Sequence, residues 1–177
     1  MNVPRATSAR LYHAPVTIWL VRHAHAGSRT RWSGDDDARP LSDRGRAQAA
    51  AVATSLAEAP VGELLSSPSQ RCVESLEPLG EALGLEVQLS SLLAEGGSGS
   101  KARALLLERA AALGPDHDLV ACSHGDIIPA VLRRLERDGM RAPRPDVVQK
   151  GSIWELTVRG GKVVAGTYHG VPATDAD

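Results

Sequence analysis

Phenylalanine does not occur among the 177 residues, and aromatic side chains of all kinds make up 3%. A core must then be assembled from Leu, Val, Ile and Ala, with Trp19, Trp32 and Trp154 as its bulky exceptions. That suits a packed α/β protein better than an aromatic-rich binding module. Cysteine is nearly absent as well: Cys72 and Cys122 make neither a disulfide framework nor a CxxC metal pair, which fits a reducing compartment and two small buried hydrophobes. No sign of charge predominates, since 20 Lys and Arg stand against 21 Asp and Glu, for a formal net charge of -1. A charged coat for nucleic acid or an anionic membrane is thereby excluded, and recognition of any polyanion has to be local. Long hydrophobic runs are missing too: behind Arg5 and Arg10 the apolar stretch extends only from Val16 to Val21, broken by Thr17. It is too short for a signal segment or a membrane span, so the expected setting is the cytoplasm, with neither nucleic acid nor membrane as partner.

What the chain does have is 42% hydrophobic and 23% charged residues, in a length that suits one domain with its own core. Residues 1–15 are expected to form a loose lead-in, 16–170 a single domain and 171–177 a tail. Thr17 to Arg22 predicts a short buried strand, and Ser42 to Glu58 an alanine-rich helix capped by Ser42 or Asp43, with a polar loop holding Gly27, Gly34 and Pro40 between them. Glu63 to Ser66 predicts a second strand, Ser69 to Leu83 a helix ended by Gly84, and Glu86 to Leu89 a third strand. Lys101 to Leu113 predicts a helix, Asp118 to Ser123 a buried strand, and Asp126 to Arg137 a helix with an apolar stripe at Ile127, Ile128, Val131, Leu132 and Leu135. The chain closes with Ile153 to Val158 and Lys162 to Thr167 around Gly160-Gly161, a hairpin signature. The sum is an α/β fold, its sheet mostly parallel with an antiparallel C-terminal edge.

Open α/β sheets bind ligands outside the carboxyl ends of their strands. Three such junctions stand out: Arg22-His23-Ala24, Ser66-Ser67-Pro68-Ser69-Gln70-Arg71-Cys72 and Ser123-His124-Gly125-Asp126. One histidine at a strand end is ordinarily structural, but here two histidines and two arginines are expected at one mouth. A neutral imidazole, with an unperturbed pKa of about 6.5, can attack as a nucleophile. Arginine pairs bidentately with phosphate oxygens, and the helix start after Pro68 offers free backbone N–H groups. Those residue types together point to phosphoryl transfer.

VRHAHAG at 21–27, SSPSQRC at 66–72 and SHGD at 123–126 resemble the histidine phosphatase superfamily, also called phosphoglycerate-mutase-like, over Thr17 to Tyr168. The resemblance implies a three-layer α/β/α sandwich. Ala24 stands where the family commonly has glycine, a replacement familiar in SixA-type phosphohistidine phosphatases and in phosphatase domains fused to Nudix hydrolases. The segment 22–46 looks most like the Nudix-fused domains, although the chain has no Nudix box. By resemblance, His23 is the nucleophile, Arg22, Arg71 and His124 complete the phosphate pocket, and Glu95 in LLAEGG is the acid. That acid role calls for a carboxyl kept partly protonated by burial or nearby negative charge. Asp126 and the run Asp35-Asp36-Asp37 compete for it, the run being expected as a solvated loop. Ser28 and Arg29 match loosely the small polar position after the nucleophile and are candidate substrate contacts. Arg29, Arg31, Arg39, Arg44 and Arg46 bias this loop toward positive charge, which suits more than one phosphate or simply a solvated surface. Trp32 either stacks on a nucleobase or covers apolar surface.

Two rivals remain. His23 and His25 form an HxH pair that would put two imidazoles on one strand face for a metal, without a second His pair or HExxH helix to complete the site. A degenerate fold that only binds a phosphorylated ligand is the other. A cysteine phosphatase is excluded, because Pro78 and Ile128 occupy the places six after Cys72 and Cys122 where arginine is required. EGGSGSKAR lacks the Lys-Ser or Lys-Thr of a phosphate loop and is expected as a mobile loop. The expectation is therefore a phosphatase working through a phosphohistidine at His23, with no metal or cofactor, on a phosphorylated small molecule such as a nucleotide or on a phosphohistidine protein. The resemblance also implies that mutase activity is not expected, since mutases of the family are longer and carry extra segments over the site.

Overall fold

The computed structural model describes residues 15–143 and 147–173, so most of the expected lead-in and tail lies outside the described residues. The strand β1 (Val16–Arg22) alternates its side chains between two buried faces, with Ile18 and Leu20 on one and Val21 on the other. Ser42 caps α1 (Asp43–Leu56) by accepting from the Gly45 N–H at 3.1 Å. After β2 (Val61–Ser66) comes α2 (Gln70–Leu83), ended by Gly84 at φ 68°, a left-handed conformation that glycine adopts without steric cost. The chain continues through β3 (Val87–Leu89), α3 (Gly99–Leu113), β4 (Asp118–Ser123) and α4 (Ile127–Arg137) to the hairpin β5 (Ile153–Arg159) and β6 (Lys162–His169).

The six strands lie in the order β3-β2-β4-β1-β5-β6. The first four are mutually parallel, and β5 and β6 join antiparallel at one side, the mixed sheet anticipated from the sequence. Helices α1 and α2 cover one face, packing Val52, Leu56, Leu76 and Leu79 against Val21, Leu64 and Val120. Helices α3 and α4 cover the other, packing Leu106, Ile128, Val131 and Leu132 against Ile18, Leu20, Leu119 and Ala121. This is the three-layer α/β/α arrangement. All six residues of β4 are buried. Beside β6, Arg141 donates its N–H to Val164 O at 3.1 Å and accepts from the Gly166 N–H at 2.9 Å. Among the described residues, no helix is long and apolar enough to cross a membrane.

Some boundaries differ from expectation. Strand β2 starts two residues earlier, at Val61. Helix α3 starts at Gly99, so the glycine-serine run is in part a helix start rather than a mobile loop: Ser98 Oγ accepts from the Lys101 N–H at 3.4 Å. A Cβ on Gly99 would lie 2.6 Å from Ala130 Cβ, so the missing side chain is what lets α3 approach α4. Three short 3-10 turns, Arg29–Arg31, Asp36–Ala38 and Ser91–Leu93, carry no periodicity that would have announced them.

Candidate active site

Strands β2, β4 and β1 are adjacent and parallel, so their carboxyl ends open on one mouth. The ladder runs on past the strands: the His23 N–H donates to Ser123 O and the Ser67 N–H to Cys122 O, each at 3.0 Å. The three junctions are thus fixed side by side. His23 is 6% exposed. Its Nδ1 lies 2.8 Å from Ala24 O, and because a carbonyl only accepts, Nδ1 carries the hydrogen and Nε2 keeps its lone pair. Burial, with the neighbouring His124, Arg71 and Arg22 charges, lowers the His23 pKa to about 3 against the Ala24 hydrogen bond, so the ring is neutral at ordinary pH. Ala24 itself is buried, donating its N–H to Ser75 Oγ at 2.9 Å and packing its methyl among Ala26, Leu41 and Ala49.

The His124 ring meets His23 edge-on with centroids 5.3 Å apart. Its Nε2 lies 2.8 Å from Ser67 Oγ and 3.5 Å from Cys72 Sγ, and Arg71 Nη2 faces its Nδ1 at 3.5 Å. Arg71 is almost wholly buried and donates through Nη1 to Asp36 O at 2.6 Å. Arg22 donates through Nη1 to Val148 O at 2.7 Å. Gly125 makes room for it, since a Cβ there would stand 2.7 Å from the Arg22 Cζ. Burial lowers the Arg22 pKa from its usual value, opposed by the charges of Glu95 and Asp126. The Nε–H groups of Arg22 and Arg71 are both buried without a partner among the described residues. Two desolvated donors of this kind are what an oxyanion would satisfy.

Two carboxylates close the far side. Glu95 Oε2 lies 3.0 Å from Arg71 Nη2 and 2.5 Å from Arg29 Nη2, and Asp36 Oδ2 contacts the same two nitrogens at 3.3 and 2.7 Å. Asp35 and Asp37 are exposed, as expected of a solvated loop, but Asp36 departs from that expectation by pairing with the arginines of the site. Asp36 also accepts from Arg39 Nε at 2.9 Å, and Asp37 Oδ1 accepts from Ser69 Oγ at 2.5 Å. Arg29, then Arg39, hold the Asp36 carboxyl well below the usual carboxylate range, and the Asp36 and Glu95 partners raise Arg29. Much of the expected positive bias of this loop is accordingly neutralised in place. Arg46 likewise pairs with Asp43 and donates to Leu41 O. Asp126, the competing acid, instead accepts from the Gly96 N–H at 2.7 Å and so anchors the loop that carries Glu95.

Among the described residues no contact ties Ser28 to this cluster: its hydroxyl lies 2.9 Å from Thr30 Oγ1, and it lines a neighbouring cavity with Trp32. Because β1 ends at Arg22, the HxH pair does not share a strand face. His25 turns to Ser42, with Nδ1 2.7 Å from its Oγ, and burial followed by the Lys150, Arg44 and Arg39 charges lowers its pKa. Among the described residues, no three His, Cys, Asp or Glu side chains converge as metal ligands would. One neighbour escaped the sequence reading. The Gly151 N–H donates to Arg22 O at 3.1 Å, which seats Lys150 beside the mouth. Burial lowers its pKa, and the nearby Arg22, Arg39, Arg71 and Arg44 add to the shift.

The model of the histidine phosphatase superfamily (branch 1) matches residues 18–103. Over 160 residues the chain is 36% identical to an 8-oxo-(d)GTP phosphatase of Mycolicibacterium smegmatis, a match covering 88% of this chain and 48% of that protein. The chain thus spans about half the length of this curated relative. Among solved structures, the protein histidine phosphatase SixA complexed with tungstate superimposes with a TM-score of 0.69 at 21% identity, covering 89% of this chain and 97% of that one. A mycobacterial glucosyl-3-phosphoglycerate phosphatase superimposes with a TM-score of 0.67 at 19% identity, covering 90% and 100%. These likenesses show a shared fold.

Proposed function

Since the chain belongs to the histidine phosphatase superfamily, we propose that it is a phosphatase that hydrolyses a phosphomonoester or a phosphohistidine through a covalent intermediate on His23, without a metal. The observation that carries this reading is the Nδ1 hydrogen bond of His23 to Ala24 O at 2.8 Å, which leaves Nε2 as a free, neutral nucleophile. In the first step Nε2 attacks phosphorus in line, the new N–P bond forms as the bond to the leaving atom breaks, an oxygen in an ester or an imidazole nitrogen in a phosphohistidine, and Glu95 gives that atom its proton. In the second, Glu95 takes a proton from water as the water oxygen attacks phosphorus, releasing inorganic phosphate and His23. Arg22 and Arg71 meet the equatorial oxygens through Nε–H donors already in place, with His124 beside them, and electrostatics of this preorganised kind usually supply the largest share of catalysis. Arg29 and Ser28 would meet the substrate beyond the phosphoryl group.

Glu95 shares the guanidinium nitrogens of Arg29 and Arg71 with Asp36, and its side chain is 40% exposed, so a leaving group can meet it at the open side of the cluster. The similar 8-oxo-(d)GTP phosphatase and SixA make a nucleotide and a phosphohistidine protein the two substrate classes to try.

The test is turnover of p-nitrophenyl phosphate with EDTA present, alongside His23→Ala. The expected result is activity that survives EDTA and vanishes in the variant, with an acid-labile phosphoryl group trapped on the wild-type chain. Activity retained by His23→Ala would refute the assignment, and loss to EDTA would favour the metal rival. Inactivity of the wild type at every pH would leave a binding module.

A further inference from the structure

Next to the phosphate cluster lies a cavity of about 300 Å³, lined by Ser28, Arg31, Trp32, Arg39, Pro40 and Leu41 among others. Its size is at the lower end for small-ligand sites, room for one flat ring system but not for a folded peptide. Its charged lining residues are Arg31 and Arg39, both cations. Arg39 is buried and committed to Asp36 and Ala26 O, whereas the Arg31 side chain has no partner among the described residues.

Trp32 is the unusual feature of this wall. It is 39% exposed, yet its indole is held: Nε1–H donates to Asp35 O at 2.9 Å, and Gly34 lies beneath the ring. A Cβ on Gly34 would come within 3.2 Å of Nε1 and 3.4 Å of the adjoining ring carbons. A large apolar side chain fixed in place and left in contact with water is a stacking surface whose ordering has already occurred.

The cavity is also within reach of the chemistry. Ala26, whose carbonyl accepts from Arg39 Nη1 at 2.6 Å, is three residues past His23, a separation of about 11 Å at most even in extended chain. Arg39 is linked through Asp36 to Arg71. A ligand that fills both places therefore has a planar group joined to its phosphate by a short spacer, the dimensions of a nucleoside.

We propose that this cavity is the leaving-group subsite and takes the base of a nucleoside monophosphate, stacked on Trp32, while the phosphate lies before His23. The proposal rests on the phosphatase reading above and adds the substrate class. Arg31 supplies a guanidinium for acceptor atoms on the base edge, as arginine does for guanine elsewhere.

Calorimetric titration of the full-length His23→Ala protein with guanosine monophosphate and with ribose 5-phosphate separates the two questions, because binding is read without turnover. The expected result is a preference of about tenfold or more for the nucleotide, the scale of one base–aromatic stack. The preference should fall close to one in a further Trp32→Leu variant and return largely in Trp32→Phe, which keeps a ring. Equal affinities in the Trp32 protein, or an undiminished preference in Trp32→Leu, would overturn the subsite. So would binding of a phosphohistidine peptide by a protein that ignores the nucleotide. Failure of the phosphatase reading looks different, since it appears as turnover by His23→Ala, or none by the wild type, whatever the base preference.

Discussion

A histidine shut off from water and ringed by cations costs the fold stability in acid. The His23 pKa is about 3 in the folded protein, against about 6.5 for a free histidine. Between those values the unfolded chain binds a proton that the folded one refuses, so stability rises with pH across this window. The contribution is present in full above about pH 6.5 and is lost as pH falls toward about 3. Urea unfolding at pH 7 and pH 4 should therefore show a smaller loss for His23→Gln than for the wild type; equal losses would contradict the burial account. This residue was legible from its junction and motif. Asp36 was not, because a run of three aspartates in a loop looks solvated until tertiary contacts place Arg29, Arg39 and Arg71 around it.

Elements position these side chains by meeting at close quarters. The end of β1 and the turn into α4 touch where the Arg22 guanidinium lies over Gly125. Gly125→Ala puts a methyl 2.7 Å from the Arg22 Cζ, and the flexible end of the arginine, rather than the backbone, has to give way. The expected outcome is a drop in kcat/KM of about 10- to 100-fold, the scale of an ångström misplacement, with Tm nearly unchanged. Unchanged kcat/KM would mean that Arg22 does not need this seat. Helix limits were readable where chemistry marks them, at the Ser42 cap and at Gly84. At α3 the limit differs, because Gly99, which signals a loop locally, serves here to admit Ala130.

Across the whole molecule, β1 is the seam where the sheet changes direction, parallel to β4 on one side and antiparallel to β5 on the other. The outgoing loops of β1, β2 and β4 reach the mouth, but from β5 it is the incoming segment that does, so Lys150 lies before its strand and no strand-end junction in the sequence marks it. Strand order and the three layers follow from alternation and hydrophobic stripes, whereas this reversal of loops becomes visible only once β5 is seen beside β1. Cooperative stability should concentrate at the same seam. Amide hydrogen exchange is expected to be slowest in β4 and β1, where both faces are covered, and faster in β6; the opposite order would place the stable unit elsewhere. The margins of the sheet have a consequence of their own. At one, β3 offers only three residues, and at the other Arg141 has taken hydrogen-bonding groups of β6 at Val164 and Gly166. Neither margin gives a foreign strand a long row of open amides to copy, which guards the protein against templated aggregation.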